Sequence, residues 1–191
     1  MRPSTVNDQE SDLQIISEVI GGDKSAYADL VDKYKSYAYS LAYRILNNQE
    51  DAEEAAQDAF IKAYHALPKF GGQSKFSTWL YRIVFNTAIS YKRKQKHYHD
   101  DIEVVHSKFA GELDSSAEKN DRDHFIHLAL GKLLPTDAAI ITLFYLKEHS
   151  LEEISEIMGT KTNTVKVKLF RARKRLAEEL KRILKHEAVT L

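Results

Sequence analysis

Along most of the chain apolar residues recur three and four apart, the spacing of one helix face, and no stretch alternates with period two over a strand's length. The pattern predicts an all-α protein. Ser11-Asp12-Leu13-Gln14 has the form of a capping box and opens a short helix that Gly21 and Gly22 stop. Asp23 can cap a longer helix, with Ala26, Leu30, Tyr34, Tyr37, Leu41, Tyr43, Ile45 and Leu46 supplying a broad apolar face. Asn47 and Asn48 end it and start a third, from Gln49 to His65, whose acidic first turn suits the positive end of the helix dipole. Its apolar stripe is narrow and made of small residues: Ala52, Ala55, Ala56, Ala59, Phe60 and Ala63. Pro68 and the Gly71-Gly72 pair impose a loop. Ser77 is the expected N-cap of the next helix, which buries Leu80, Ile83, Val84, Thr87, Ala88 and Tyr91. Arg82, Asn86, Ser90 and Arg93 fall on another face, beside Trp79, Tyr81 and Phe85, which the pattern leaves exposed.

Residues 97–122 break the period, with few aliphatics and an acidic excess, and read as a flexible linker. His97 and His99 form an H-x-H pair there, with no Cys and no third ligand at hand to make a metal site. From Asp123 the period returns through Phe125, Ile126, Leu128, Leu130, Leu133 and Leu134, then resumes after Pro135 with Ala138, Ile140, Ile141, Leu143, Phe144 and Leu146. Ser150 to Glu153 is a capping box for a short helix that Gly159 closes in the left-handed conformation, and Thr162 can cap a long helix running to Lys185. Short helix, tight turn with Gly, long helix is the helix-turn-helix pattern. Ile154, Ile157, Met158, Val165, Leu169, Ala172 and Leu176 face inward. Asn163, Lys166, Val167, Phe170, Arg171 and Lys174 face outward, where a major groove would meet them, and Lys168, Arg173 and Arg175 flank them, suited to phosphates. The organisation expected is a disordered 1–10, two small helical domains over 11–96 and 123–186, and the acidic linker between.

Composition bears on partners. There is no Cys, which excludes disulfides and thiolate zinc sites and fits a reducing cytoplasm. The polar start lacks the apolar core of a signal peptide, and no apolar run approaches the ~18 residues of a membrane span. The formal net charge of zero conceals segregation: residues 12–60 carry −6, residues 61–99 carry +8 with no acid at all, residues 100–123 carry −5, residues 124–160 carry −3 and residues 161–191 carry +7. Two basic blocks on two separate motifs form a split nucleic-acid footprint. Over Phe70 to Lys96 the cations are interleaved with aromatics, which is what a single strand needs: charge for phosphates and rings for unstacked bases. No Gly-rich phosphate loop, metal cluster or nucleophile setting is present, so the chain reads as a non-enzyme without a cofactor.

Three linked strings carry a resemblance. D-A-E-E-A-A-Q-D-A-F-I-K-A-Y at 51–64, K-F-S-T-W-L-Y-R-I-V-F-N-T-A at 75–88 and S-L-E-E-I-S-E-I-M-G-T-K-T-N-T-V-K-V-K-L-F-R-A-R-K-R-L at 150–176 resemble the extracytoplasmic-function sigma factors of bacterial RNA polymerase, in order, over about 12–185. The resemblance implies that Asp51, Glu54, Gln57, Asp58 and Ile61 face the polymerase's large-subunit coiled coil. It implies that the loop Phe70 to Phe76, with Gln73, Ser74 and Lys75, holds a base flipped from the minus-ten element. Trp79, Arg82, Asn86 and Ser90 would line the path into it, and Lys92, Arg93, Lys94 and Lys96 would bind backbone. Lys166, Val167, Phe170 and Arg171 would read the minus-thirty-five element, with Asn163, Thr164, Lys168, Arg173 and Lys174 around them. Core polymerase, promoter DNA and an anti-sigma factor are the partners so implied, and the linker would thread toward the active-site channel. Two departures stand out: Val167 occupies a position where the family often has a small hydroxylated residue, and the loop Gly71 to Lys75 has no acid. A sigma mimic that only binds an anti-sigma factor should have lost the basic and aromatic surfaces, and a stand-alone helix-turn-helix regulator would leave the first domain without a purpose.

Overall fold

The computed structural model describes residues 6–100 and 117–190, and every regular element among them is helical. The central part of the expected linker, 101–116, lies outside the described residues, as do 1–5; residues 97–100 and 117–122 continue the helices on either side.

Helix α1 (Val6–Ile20) already runs through Ser11, so the capping-box form there does not mark its start, and residues 6–10 are helical instead of disordered. A tertiary anchor accounts for the difference. Asp12 is buried, and its carboxylate accepts from the Tyr34 hydroxyl and from Lys33 Nζ on the next helix. Asp23 accepts from the Ser25 N–H and opens a 3-10 turn that feeds α2 (Tyr27–Leu46). Asn47 closes α2 in the left-handed conformation at φ 54°, and the Asn48 side chain caps α3 (Gln49–Ala66) by accepting from the Asp51 N–H. The alanine stripe of α3 is buried against α2 and against α4 (Phe76–Asp100). Small side chains there let the three helices close around Leu30, Leu41, Ile45, Leu80 and Val84, all fully buried, at about 1.5–3 kcal/mol for each large side chain removed from water.

The start of α4 differs from expectation. The Lys75 carbonyl accepts the first helical bond, from the Trp79 N–H, and Ser77 lies buried inside the first turn without capping it. The face of α4 expected to expose aromatics is largely core: Tyr81 and Phe85 are buried, and Trp79 is half-buried. Tyr81 stacks on Tyr37 of α2 with ring centroids 3.9 Å apart.

The second unit begins with α5 (Ala117–Gly131) and α6 (Pro135–Ile141), which runs on through a π-helical turn over Thr142–Leu146. The capping box forms as expected, with Ser150 Oγ accepting from the Glu153 N–H and Glu153 accepting from the Ser150 N–H, and it opens α7 (Leu151–Met158). Gly159, at φ 61°, closes α7 in the left-handed region where a side chain would be strained. In α8 (Thr162–Thr190) the Lys161 carbonyl accepts the first bonds, so Thr162 is the first helical residue and not the cap. Ile154 and Ile157 meet Val165, Leu169 and Ala172 across the helix-turn-helix. Buried Asp137 of α6 binds Arg175, which the sequence pattern had assigned to phosphate.

The two units pack on each other and share one core. Helix α7 lies against α4, and α6 lies against α2.

Candidate nucleic-acid interface and clamp face

Three surfaces collect the residues singled out in the sequence. On α3, Glu54, Gln57 and Ile61 are exposed on one face, Ile61 at 57%. An apolar side chain left open amid acids and amides has the composition of a protein contact. Asp58 and Asp51 sit at its edge but are partly engaged within the chain: the Tyr91 hydroxyl donates to Asp58 Oδ2 at 2.7 Å, and Gln95 Nε2 donates to Asp51. Those bonds fix α3 to α4, so the open face is narrower than the five residues predicted.

The second surface surrounds the head of α4. Phe70 packs on Trp79 at 5.2 Å between centroids and on the edge of Phe76 at 5.7 Å. Gly72, at φ 67°, lets the loop turn back over this cluster. A cavity of about 430 Å³ opens here. Phe70 and Trp79 supply its rings, Gln73 and Ser74 its rim, and Lys69 and Arg82 its cations. Rings, amides, a hydroxyl and cations around an open cavity can accept a stacked base and its phosphate. Thr78 also lines it, with its hydroxyl buried and without a protein hydrogen-bond partner; sequence reasoning missed Thr78 because it lies inside a helical run, and counted Lys69 only as one charge of the basic block. Phe76 must be corrected: it is 1% exposed and packs against Tyr34, so it is core and offers no face to a base. Lys75 reaches out of the loop but is paired with Glu153 of α7 at 2.8 Å.

Farther along α4, Arg82, Asn86, Ser90, Arg93 and Lys94 are exposed in one stripe, and the Ser90 hydroxyl donates to the Asn86 carbonyl. Lys92 leaves that set. Its Nζ donates to the Leu46 carbonyl at 2.9 Å, and burial lowers its pKa, with Asp51 opposing. The Lys96 side chain lies outside the described residues.

The third surface is the N-terminal half of α8. Asn163, Thr164, Lys166, Val167, Phe170, Arg171, Arg173 and Lys174 are exposed, and Lys168 is half-buried. Phe170 is 70% exposed and Val167 50%, one turn apart and flanked by cations. Large apolar groups left in water on a basic helix suit a groove floor, where they can meet a thymine methyl while Arg and Lys reach guanine edges and phosphates.

Residues 30–98 match the family Sigma-70 region 2, and residues 126–176 match Sigma-70, region 4. Over 177 residues the chain is 39% identical to the ECF RNA polymerase sigma factor SigW of Bacillus subtilis, an alignment spanning 87% of this chain and 95% of that one. It is 32% identical to the RNA polymerase sigma-H factor of Pseudomonas aeruginosa, over 93% of this chain and 97% of that one. It is 33% identical to the ECF RNA polymerase sigma-E factor of Escherichia coli, over 94% of this chain and 100% of that one. Among solved structures, the fold is similar to the sigma factor RpoE in complex with the anti-sigma factor NepR from Bartonella quintana, with TM-score 0.65, 23% identity, and coverage of 81% of this chain and 96% of that one. It is also similar to CnrH in complex with the cytosolic domain of CnrY, with TM-score 0.64, 21% identity, and coverage of 87% and 95%.

Proposed function

The chain belongs to the extracytoplasmic-function sigma factors of RNA polymerase, the promoter-directing subunits, and we propose that it divides that work among the three surfaces described. Glu54, Gln57 and Ile61, with Asp51 and Asp58 at the edge, dock on the polymerase coiled coil. Phe70, Gln73, Ser74, Lys75 and Trp79 receive a flipped base of the minus-ten element, and Arg82, Asn86, Ser90 and Arg93 carry the strand away from it. Lys166, Val167, Phe170 and Arg171 read the minus-thirty-five element in the major groove, with Asn163, Thr164, Lys168, Arg173 and Lys174 on the backbone. Unpairing a base costs a few kcal/mol, and stacking on protein rings returns about 1–3 kcal/mol per base. Linking two modest DNA contacts through one chain raises the effective concentration of each at the promoter.

The reaction chemistry belongs to the polymerase, and the chain adds none. No described helix is long and apolar enough to cross a membrane. As a subunit of RNA polymerase, the chain works in the cytoplasm beside that enzyme. An anti-sigma factor is the expected antagonist; the similar folds of RpoE and CnrH are seen bound to NepR and to the CnrY cytosolic domain.

The observation that carries the reading is the occurrence, in one chain and in order, of both sigma-70 regions, with exposed cations beside half-buried rings on the first and beside exposed Phe170 on the second. Run-off transcription from a library of randomised promoter cassettes, with core polymerase and this chain, tests it. Transcripts that appear only with the chain and share two sequence elements are expected. Ile61→Arg should remove core retention in a pull-down while circular dichroism is unchanged. Output independent of the chain would overturn the reading.

A further inference from the structure

The N-terminal half of α8 sorts its side chains by partner. Val165, Leu169 and Ala172 are buried in the helix-turn-helix. Arg175 binds Asp137, and the Arg173 guanidinium stands 5.8 Å over the Tyr145 ring. Lys166, Val167, Phe170, Arg171 and Lys174 stay exposed, at positions three and four apart on the helix. The three cations have no ion pair among the described residues. Val167 is 50% exposed and Phe170 70%, and neither packs on the shared core. Stability does not account for the valine. A β-branched residue in water has a lower helix propensity than Ala, Lys or Arg and gains nothing from burial. Its side chain has neither donor nor acceptor, and in a helix it holds one χ1 rotamer. Two methyl groups are therefore presented in a fixed direction at little entropic cost.

We propose that Val167 reads the C5-methyl group of a pyrimidine in the major groove, and so makes recognition of the upstream element depend on that methyl. The inference rests on the reading of α8 as the helix that meets this element. Over most of the groove floor a valine covers a base donor or acceptor and returns no hydrogen bond, which is a net cost. Over a C5-methyl it buries carbon on both sides, and one buried methyl corresponds to about a fourfold gain in affinity. Phe170 lies three residues on, about 4.5 Å along the helix axis. Base pairs are spaced ~3.4 Å apart, so Phe170 meets a neighbouring step. Lys166, Arg171 and Lys174 supply attraction to phosphates and guanine edges, and the valine supplies rejection of any base without the methyl. Two bases carry that group, thymine and 5-methylcytosine. The second extends the reading to modified DNA: methylation of a cytosine under Val167 raises the affinity of a promoter without changing its sequence.

The test uses the full chain with core polymerase, on a promoter selected from the randomised library. Each thymine of the upstream element, on either strand, is replaced singly by deoxyuridine, which removes the methyl and leaves base pairing intact. Affinity is read by competition against the unmodified promoter. At one thymine, deoxyuridine should cost about fourfold with the wild-type chain and nothing with Val167→Ala. Alanine is the better helix former, so this variant keeps the fold. Phe170→Ala should leave the sensitivity at that thymine in place. At the same position 5-methylcytosine should bind about fourfold better than cytosine with wild type, and equally well with Val167→Ala. A methyl whose removal costs the same in both chains would overturn the role of Val167. Insensitivity to deoxyuridine throughout the element, while Arg171→Ala weakens binding to this promoter and not to one with the element scrambled, would overturn the methyl reading and leave α8 as the reader. Insensitivity to both changes would overturn the reading of α8, and the proposal with it. A cost from deoxyuridine without a gain from 5-methylcytosine would overturn the extension to modified DNA and keep thymine as the base read.

Discussion

The two basic blocks have nearly the same excess charge, +8 over 61–99 and +7 over 161–191, yet the fold uses them differently. In the first, Lys62 donates to Thr87, Lys75 to Glu153 and Lys92 to the Leu46 carbonyl. In the second, Lys166, Arg171 and Lys174 are exposed, and no ion pair among the described residues involves them. The aromatics divide in the same way: Phe76, Tyr81 and Phe85 are buried, whereas Phe170 stands 70% in water. The first block is a scaffold with an open cationic edge, and the second is an exposed cationic face on a preformed helix. A charge count over sequence windows ranks them as equals because it cannot see which cations already have partners.

The contrast is broken most directly by two Phe substitutions. Phe76→Ala deletes a fully buried ring packed on Tyr34, Phe70 and Trp79, and should cost about 3–5 kcal/mol by denaturant unfolding. Phe76→Leu should recover most of that and transcription with it. Phe170→Ala should leave the unfolding free energy within ~0.5 kcal/mol of wild type, since the ring is exposed. Its penalty should appear at the promoter, about 1–3 kcal/mol at the base pair it touches, read by competition between upstream-element variants. A stable Phe76→Ala chain that fails only on DNA would return Phe76 to the site.

Why the sequence put buried Phe76 in the site yet foresaw the exposure of Phe170 is a matter of range. Signals that act within a turn were legible: the Ser150–Glu153 box, Gly159, the Asn47–Asn48 break and the alanine stripe all formed as read. Recognition-helix exposure was legible too, because the inward set of α7 and α8 closes on itself. The errors lie where a distant partner decides. Tyr81 is buried because Tyr37 and His149 cover it, and Phe85 is buried on a face that borders the second unit. Helix α4 therefore has two buried faces, and a rule that allots one apolar stripe to each helix exposes the second. Ser11 failed as a start because the Asp12 anchor to Tyr34 lies across helices. His149 and Glu153 were visible as the end of one helix and the cap of the next, with nothing local to assign them to an interface.

Salt dependence sharpens the comparison with a smaller effect. Each cation that truly meets a phosphate releases counterions, so its removal lowers the slope of log affinity against log salt by about one. Lys166→Ala should do so on promoter DNA by filter binding with core polymerase. Lys92→Ala should leave the slope unchanged and instead cost about 1 kcal/mol of stability, since its ammonium caps the end of α2. Equal slope changes in both variants would erase the distinction between the blocks.

The smallest expected effect is a pH response of the interface, and its direction follows from His149. Burial pushes its pKa below the ordinary 6.5, Glu153 pulls it back up in part, and Lys75 and Lys147 add to the lowering. Its Nδ1 is 3.4 Å from Glu153 Oε2, and its Nε2 is buried without a protein partner, so a second proton would leave a charged donor unpaired. The other facing groups do not titrate in that range: burial holds the Tyr37 and Tyr81 hydroxyls far above their usual value. Glu153 is raised by burial but lowered on balance, below 4.5, by Lys75 and the Ser150 N–H. The packed state therefore favours neutral His149. That contribution is complete above 6.5 and declines as the pH falls from there toward the lower packed-state value. The distance between spin labels at Glu50→Cys and Lys181→Cys, one on each unit of a chain without native Cys, should lengthen modestly between pH 7.5 and pH 5.5, on either side of the ordinary histidine value of about 6.5. His149→Asn should flatten the response, and Glu153→Gln, which removes the ion pair with Lys75, should shift the whole curve toward longer distances. A contact that tightens on acidification would mean that the ion pair of His149 with Glu153, and not the burial of the ring, governs it.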